Sequence, residues 1–262
     1  FALAYPALMA ELIIGRAARA NGISALQSIS SGKKSRLAAY LVGFAGIITV
    51  TFILSFYAII SGWMIAHFFD GFAQILELDT ISNWLVTDAP IRSSLFVILF
   101  ILFTVNIISA GVENGIEKWA SRLMPSLIVL LILLIFYVIS LPGAMEGLRV
   151  YLIPDFSRLS DPTLLVDAMG QAFFSLSLGV GTMLIYGSYI SDKENLPVIG
   201  GLVALLDIGI AVIAGLLILP AMYVALSNGV EIFDSNGELI AGPGLIVSVL
   251  PTLFDSMGTI GI

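Results

Sequence analysis

Six apolar runs dominate this chain and leave it few folds to choose from. They cover residues 1–20, 37–68, 92–111, 121–142, 165–190 and 197–226. A helical span of the hydrocarbon core takes about 20 predominantly apolar residues. In lipid the backbone must satisfy its own hydrogen bonds, which a single helix can do. Of the 262 residues 59% are hydrophobic and only 11% are charged, against about 25% charged in a soluble domain. A soluble fold would leave most of these runs without a polar face. The expected fold class is an all-α polytopic membrane protein. A seventh apolar stretch, 243–254, is too short to cross and reads as an interfacial or re-entrant helix. The chain starts at Phe1 inside an apolar run and stops at Ile262 after a Gly-containing turn, so we expect an internal piece of a longer protein.

The loops between the runs differ in charge. Arg16, Arg19, Lys33, Lys34, Arg36, Lys118, Arg122 and Lys193, eight of the eleven basic residues, fall in alternate connections on one side. The opposite connections hold Asp70, Glu77, Asp79, Asp88, Glu146, Asp155, Asp161, Glu231, Asp234 and Glu238, with only Arg92, Arg149 and Arg158. The positive-inside rule makes the basic side, including the loops near 16–36, cytoplasmic in a multi-pass protein of the inner (plasma) membrane. Trp63, Trp84 and Trp119 lie near expected segment ends or in loops, as interfacial anchors do. The net charge of −7 and the lack of a basic stripe argue against a nucleic-acid partner. With no cysteine and one histidine, His67, disulfides, thiol catalysis and His-based metal clusters are excluded. His67 itself reads as an ordinary interfacial residue. No nucleophile–base pair appears, so the chain is not expected to be an enzyme.

One apolar run is built unlike the others. Gly170-Gln171-Ala172-Phe173-Phe174-Ser175-Leu176-Ser177-Leu178-Gly179-Val180-Gly181 carries two hydroxyls, an amide and three glycines, where a lipid-facing helix would carry leucines. Glycine costs about 1 kcal/mol relative to Ala inside a helix, and irregular backbone at membrane depth survives only where it lines a cavity or is enclosed by protein. A helix broken near 174–181 is therefore expected, and such a break is how many secondary transporters build an ion and solute site. Serines in membrane helices commonly bond back to the preceding turn. Ser175 and Ser177 instead run into Gly179 and Gly181, which favours unwinding and free carbonyls that suit a hard cation.

Three further side chains invite a role. Asp207 is the only acid deep within the sixth run. An intramembrane carboxylate costs on the order of 3 kcal/mol or more and faces a cavity, a partner or an ion. No Lys or Arg lies at a similar depth, so a cation is the natural partner, with a protonated Asp bonded to a neighbouring helix as the bland alternative. Ile53 and Tyr57 are four apart and share a helix face. The Tyr57 hydroxyl needs a partner, which a solute carboxylate could be, although taken alone the residue is better explained by packing. Glu11 either meets free amides of the broken helix or is an ordinary helix-end acid.

Gln171 to Gly179, followed by Tyr186-Gly187-Ser188-Tyr189, resembles the sixth helix of the neurotransmitter:sodium symporter family, closest to bacterial amino-acid transporters. The likeness continues through Pro6 to Glu11 and Gly15-Arg16, Leu54-Ser55-Phe56-Tyr57 to Gly62-Trp63, and Gly115-Ile116-Glu117-Lys118. It ends with Pro154-Asp155-Phe156 and Gly242-Pro243-Gly244 to Leu250-Pro251. On that register the chain runs from the second half of family helix two to the loop before helix eight, a single partial transporter domain. The resemblance implies a partial LeuT-type inverted-repeat fold and sodium-coupled amino-acid symport.

The resemblance also implies roles. The carbonyls of Phe174 and Ser175 and the hydroxyl of Ser177 would hold the substrate ammonium. Tyr57 would bind its carboxylate and, with Phe174, close a lid above it. Ile53, Phe174 and Val180 would line the side-chain pocket. Ser175 and Asp207 would be sodium ligands, Ser188 and Tyr189 would lie near the cytoplasmic gate, and Glu11 and Gln171 would support the break. Asp207 stands where many members have Asn, and Ala211 where chloride-dependent members have Ser, which implies that chloride is not required. Val180 stands where some members have Phe, which implies a larger pocket and a bulky apolar or aromatic substrate. Two other readings remain, a non-transporting amino-acid sensor and a truncated, non-functional remnant.

Overall fold

The structure, a computed structural model, describes residues 2–87, 89–154, 156, 161–233 and 239. Asp88, Asp155, Arg158, Asp234, Glu238, the 243–254 segment and the Gly242 to Pro251 motif lie outside the described residues. The described chain forms helices α1 (Ala4–Ala18), α2 (Gly22–Ser28), α3 (Lys33–Ile75), α4 (Asp79–Val86) and α5 (Pro90–Ser109), then a π-helical turn (Val112–Glu117). It continues through α6 (Lys118–Ile139), α7 (Ala144–Leu152), α8 (Pro162–Ser175), α9 (Thr182–Tyr189) and α10 (Leu196–Ser227).

Among the described residues, four helical segments are long and apolar enough to cross a membrane: Lys33–Ile75, Pro90–Ser109, Val112–Ile139 and Leu196–Ser227. Their apolar windows are only 6–11% buried within the chain, so most of their hydrocarbon is available to a bilayer. The first apolar run folds as the 15-residue α1. The second is longer at both ends than hydropathy alone predicts, which places His67 and Trp63 inside α3 rather than at its end. The fifth run is two helices, α8 and α9, with an irregular stretch between them.

The chain divides into two compact units, one of Phe1–Leu54 with Asp155–Ala211, the other of Ser55–Pro154 with Val212–Ile262. In the first, α1 places Ala4, Leu8, Leu12 and Gly15 on one buried face, a spacing of three to four residues that lines a single stripe. That stripe packs with Leu176, Leu178 and Leu196. Backbone meets backbone here: a Cβ on Gly15 would lie 2.1 Å from the Leu184 carbonyl oxygen, and one on Gly187 would lie 2.6 Å from that of Leu12. Small residues allow such close approach and the van der Waals contact that comes with it, as at helix interfaces in membrane proteins. Polar contacts fix the same pairing. The Tyr5 hydroxyl donates to the Pro197 carbonyl at 3.0 Å, Arg16 donates to the Glu194 carbonyl at 2.9 Å, and exposed Arg19 pairs with Asp192 at 3.0 Å.

The second unit has its core where α6, α7 and α10 meet, around Val138, Ala144, Ala221, Met222, Val224, Ala225 and Ile232. Gly147 lies against the Leu219 carbonyl, and the Tyr151 hydroxyl donates to the Val212 carbonyl at 3.2 Å. At another corner of this unit, two charges expected in a solvated loop are buried. Asp70, 6% exposed, accepts from Ser82 Oγ at 2.6 Å and Gln74 Nε2 at 2.9 Å. Arg92, also 6% exposed, donates to the Leu85 carbonyl near the end of α4. A cation at a helix C-terminus complements the negative end of the dipole, which ties α4 to α5 beside Trp84 and Phe96.

The α1–α9 contact yields a direct test. Gly15→Leu drives a side chain into the Leu184 carbonyl and should cost about 1–3 kcal/mol or more, read as a lower unfolding midpoint in detergent. Gly201→Ala, where a Cβ meets nothing within 4 Å, should be neutral or slightly stabilising.

Candidate functional site

The site is the interruption between α8 and α9, and its backbone hydrogen bonds can be traced one by one. At the end of α8 the Ser177 N–H donates to the Phe174 carbonyl at 3.0 Å and the Leu178 N–H to the Phe173 carbonyl at 2.9 Å. These two bonds form a Schellman cap. The residue in its left-handed position is Ser177, with φ 52°, where glycine is usual. Gly179 and Gly181 follow with φ 83° and 84°, a region L side chains seldom adopt. The three positive φ values turn the chain so sharply that α8 cannot continue into α9.

Two carboxylates answer the two helix ends so created. The negative end of α8 is approached by Asp207 of α10, whose Oδ1 accepts a 2.6 Å hydrogen bond from Ser175 Oγ. The positive end of α9 is approached by Glu11 of α1, whose Oε1 accepts the Gly179 N–H at 2.6 Å. The N–H groups of Met183 and Leu184 lie near the same carboxylate. This is the amide-binding alternative for Glu11, rather than an ordinary helix-end acid.

The other expected site residues distribute as follows. The Ser175 carbonyl accepts no backbone hydrogen bond among the described residues, whereas that of Phe174 already holds the Ser177 N–H. Phe174 is 56% exposed in the last turn of α8, and Gln171 is exposed one turn earlier. Val180 lies between the two left-handed glycines, and its carbonyl would sit 2.8 Å from a Cβ on Gly46. Ser188 Oγ donates back to the Ile185 carbonyl at 2.7 Å, so that hydroxyl is engaged within α9. Tyr189, 64% exposed, ends the same helix. Ile53 and Tyr57 share a face of α3. Tyr57 belongs to the second unit, where its ring meets Phe56 edge-on with centroids 5.9 Å apart. The structure thus brings Ser175 to Asp207 and Glu11 to Gly179.

Gly46 was not singled out by motif, and a lone small residue in an apolar helix is the weak signal that could have found it. Asn21 is another such residue. Its side chain accepts the Ser24 N–H at 2.9 Å and caps α2, the Asn–x–x–Ser pattern of a helix start.

Chemically, a carboxylate and a hydroxyl 2.6 Å apart beside an open carbonyl form an all-oxygen donor set suited to a hard cation. Among the described residues there is no cluster of three or more His, Cys, Asp or Glu side chains that could hold a metal ion.

Residues 89–260 match the sodium:neurotransmitter symporter family. The chain belongs to that family. It is similar to YhdH, an uncharacterized sodium-dependent transporter of Bacillus subtilis (strain 168), at 33% identity over 97% of this chain and 54% of that protein. An uncharacterized sodium-dependent transporter of Haemophilus influenzae is 30% identical over 96% of this chain and 55% of its own length. A sodium- and chloride-dependent taurine transporter of Rattus norvegicus is 27% identical over 96% and 46%. The chain spans about half the length of these relatives. The family is one of symporters, and the relatives named here are transporters rather than enzymes.

Glu11 gives the test of the site's architecture. Glu11→Ala leaves the Gly179 N–H without its acceptor and should cost about 1–3 kcal/mol. Glu11→Gln keeps an acceptor oxygen and should recover most of that loss, with hydrogen exchange at Gly179 as the readout.

Proposed function

We propose that the protein of which this chain is a part couples sodium to the uptake of a neutral amino acid, bulky and apolar or aromatic, across the inner (plasma) membrane. The observation that carries this reading is the Ser175–Asp207 contact at the open end of α8. Sodium, the co-transported ion, would sit against Asp207 Oδ1 and Ser175 Oγ, with the substrate carboxylate as a further ligand. The substrate ammonium would take the free Ser175 carbonyl, the remaining lone pair of the Phe174 carbonyl and the Ser177 hydroxyl. The negative dipole end of α8 favours positive charge at that place. Tyr57 would bind the substrate carboxylate and close over it with Phe174. Ile53 and Val180 would contact its side chain, and Ser188 and Tyr189 would belong to the cytoplasmic exit. Six spans and an interfacial helix at 243–254, with the 16–36 loops cytoplasmic, complete the proposed topology.

Coupling follows from charge. Asp207 and the substrate carboxylate each gain from a cation between them, so sodium and substrate raise each other's affinity by the same factor. Transport then requires only that sodium favour the state that receives substrate from outside. The fixed charge of Asp207 makes an extra anion unnecessary. Chloride should therefore be dispensable here, unlike in the relatives named sodium- and chloride-dependent.

The test is binding of radiolabelled phenylalanine, leucine and glycine to the full-length protein. We expect saturable binding that needs sodium, is indifferent to chloride, favours the two larger amino acids, and falls by about two orders of magnitude, roughly 3 kcal/mol, in Asp207→Ala. Val180→Phe should shift preference toward smaller substrates. Sodium-independent binding, or a glycine preference in the unaltered protein, would overturn the corresponding part.

A further inference from the structure

Between Glu11 and Asp70 the chain carries five basic residues and no acidic one. Two of the five are used within the first unit: Arg16 donates to the Glu194 carbonyl, and Arg19 pairs with Asp192. The other three, Lys33, Lys34 and Arg36, occupy the first turn of α3. All three are exposed, and none has an acidic partner among the described residues. Their position makes the missing counter-charge unfavourable. The N-terminus of a helix is the positive end of its dipole, where acids stabilise and bases do not, and the first turn of α3 contains no acid. The backbone beneath the three cations is nevertheless held in place. The Gly32 N–H donates to Ser35 Oγ at 3.0 Å and the Arg36 N–H to the Gly32 carbonyl at 2.9 Å.

The helix continues this basic turn into an open apolar face. Lys33, Leu37, Tyr40, Leu41 and Phe44 recur three to four residues apart and so line one stripe of α3. The four apolar members are 45–61% exposed, whereas Gly43 and Gly46 make the contacts of α3 with Ile23 and Val180. The Tyr40 and Phe44 rings lie nearly parallel, 5° apart in plane with centroids at 6.1 Å. From Lys33 to Phe44 is about 16 Å along the axis, close to one leaflet of a hydrocarbon core about 30 Å thick. α3 is one of the helices long and apolar enough to cross that core.

We propose that the start of α3 is a docking surface for one anionic phospholipid, its phosphodiester on Lys33, Lys34 and Arg36 and an acyl chain along Leu37, Tyr40 and Phe44. The headgroup supplies the negative charge that the turn lacks, and the stripe below it matches a chain in length and polarity. A zwitterionic headgroup fits less well, because no carboxylate in this stretch of sequence takes up its ammonium. Cations beside a membrane surface each add to the attraction for anionic lipid. This surface involves neither sodium nor the transported solute, and its loss would leave the transport reading as it stood.

The probe is dioleoyl phosphatidylglycerol added to the full-length protein in non-ionic detergent, with dioleoyl phosphatidylcholine as reference and bound lipid counted by native mass spectrometry. We expect phosphatidylglycerol to be retained about tenfold better, and this preference to vanish when Lys33→Gln, Lys34→Gln and Arg36→Gln are combined. Lys33→Arg with Lys34→Arg keeps the charge and should keep the preference, which separates loss of charge from loss of fold. Lys118→Gln with Arg122→Gln, exposed basic residues elsewhere, should leave it unchanged, and Tyr40→Ser with Phe44→Ser should weaken retention. No preference in the unaltered protein, or one that survives the triple variant, overturns the proposal. Equal loss in the Lys118 and Arg122 variant means diffuse surface charge, and displacement by millimolar inorganic phosphate means a site for the free anion; either result overturns it. Retention unchanged by the Tyr40 and Phe44 substitutions removes the acyl chain from this face and overturns it as well.

Discussion

Peptide groups freed from a helix must find other partners, and the contacts made by Glu11 and by the end of α8 in the first unit follow from that constraint. Interrupting a helix between Ser175 and Thr182 creates a helix C-terminus and a helix N-terminus within seven residues of each other. Each exposes backbone groups and half of a dipole. The chain meets the two ends with different means. At the N-terminal end of α9, Glu11 takes up the Gly179 N–H with a charge fixed on another helix. At the C-terminal end of α8, two carbonyls are closed by the Schellman bonds, while the next, on Ser175, stays open beside Asp207. One end is satisfied internally, and the other is left able to accept.

That asymmetry requires rigid neighbours. A carboxylate holds an amide at 2.6 Å only if α1 and α9 keep a fixed register, and glycine provides the register. Gly15 and Gly187 let the two backbones touch at two points about one helical turn apart on α1, at Gly15 and Leu12. Arg16 and Tyr5 pin the same helix to the turn before α10 and to its first residues. Since Asp207 also belongs to α10, the same small-residue contact that places Glu11 indirectly constrains the partner of Ser175. The second unit uses the same device between α7 and α10, where Gly147 and Gly215 admit a backbone and a tyrosine ring.

How much of this was legible in the sequence depends on the range of the signal. Hydropathy located the long helices because it integrates over about 20 residues. The break was legible because Ser, Gly and Gly are locally wrong for a lipid-facing helix, and local misfit is visible without a partner. Glu11 remained ambiguous, since nothing near it in sequence reveals that its amide lies 168 positions away. Asp70 reads as a loop charge because α3 outruns its hydropathic core by two turns, and Arg92 does so because α5 begins at Pro90, before its apolar run. Their burial depends on Ser82 and on the end of α4, contacts that charge patterning does not encode.

The Ser175–Asp207 hydrogen bond also bears on how a proposed cation would be exchanged. The Ser175 hydroxyl donates a 2.6 Å hydrogen bond to Asp207 Oδ1. For sodium to use both oxygens, the hydroxyl must rotate its proton away and present a lone pair. Binding would therefore replace one short, charge-assisted hydrogen bond by two ion–oxygen contacts. That exchange would keep the net affinity moderate. A site that was wholly unsatisfied without its ion would bind more tightly and release more slowly, whereas a coupled carrier has to do both in every cycle. In the proposed site the serine would make the ion-free state tolerable, and the aspartate would make the ion-bound state favourable.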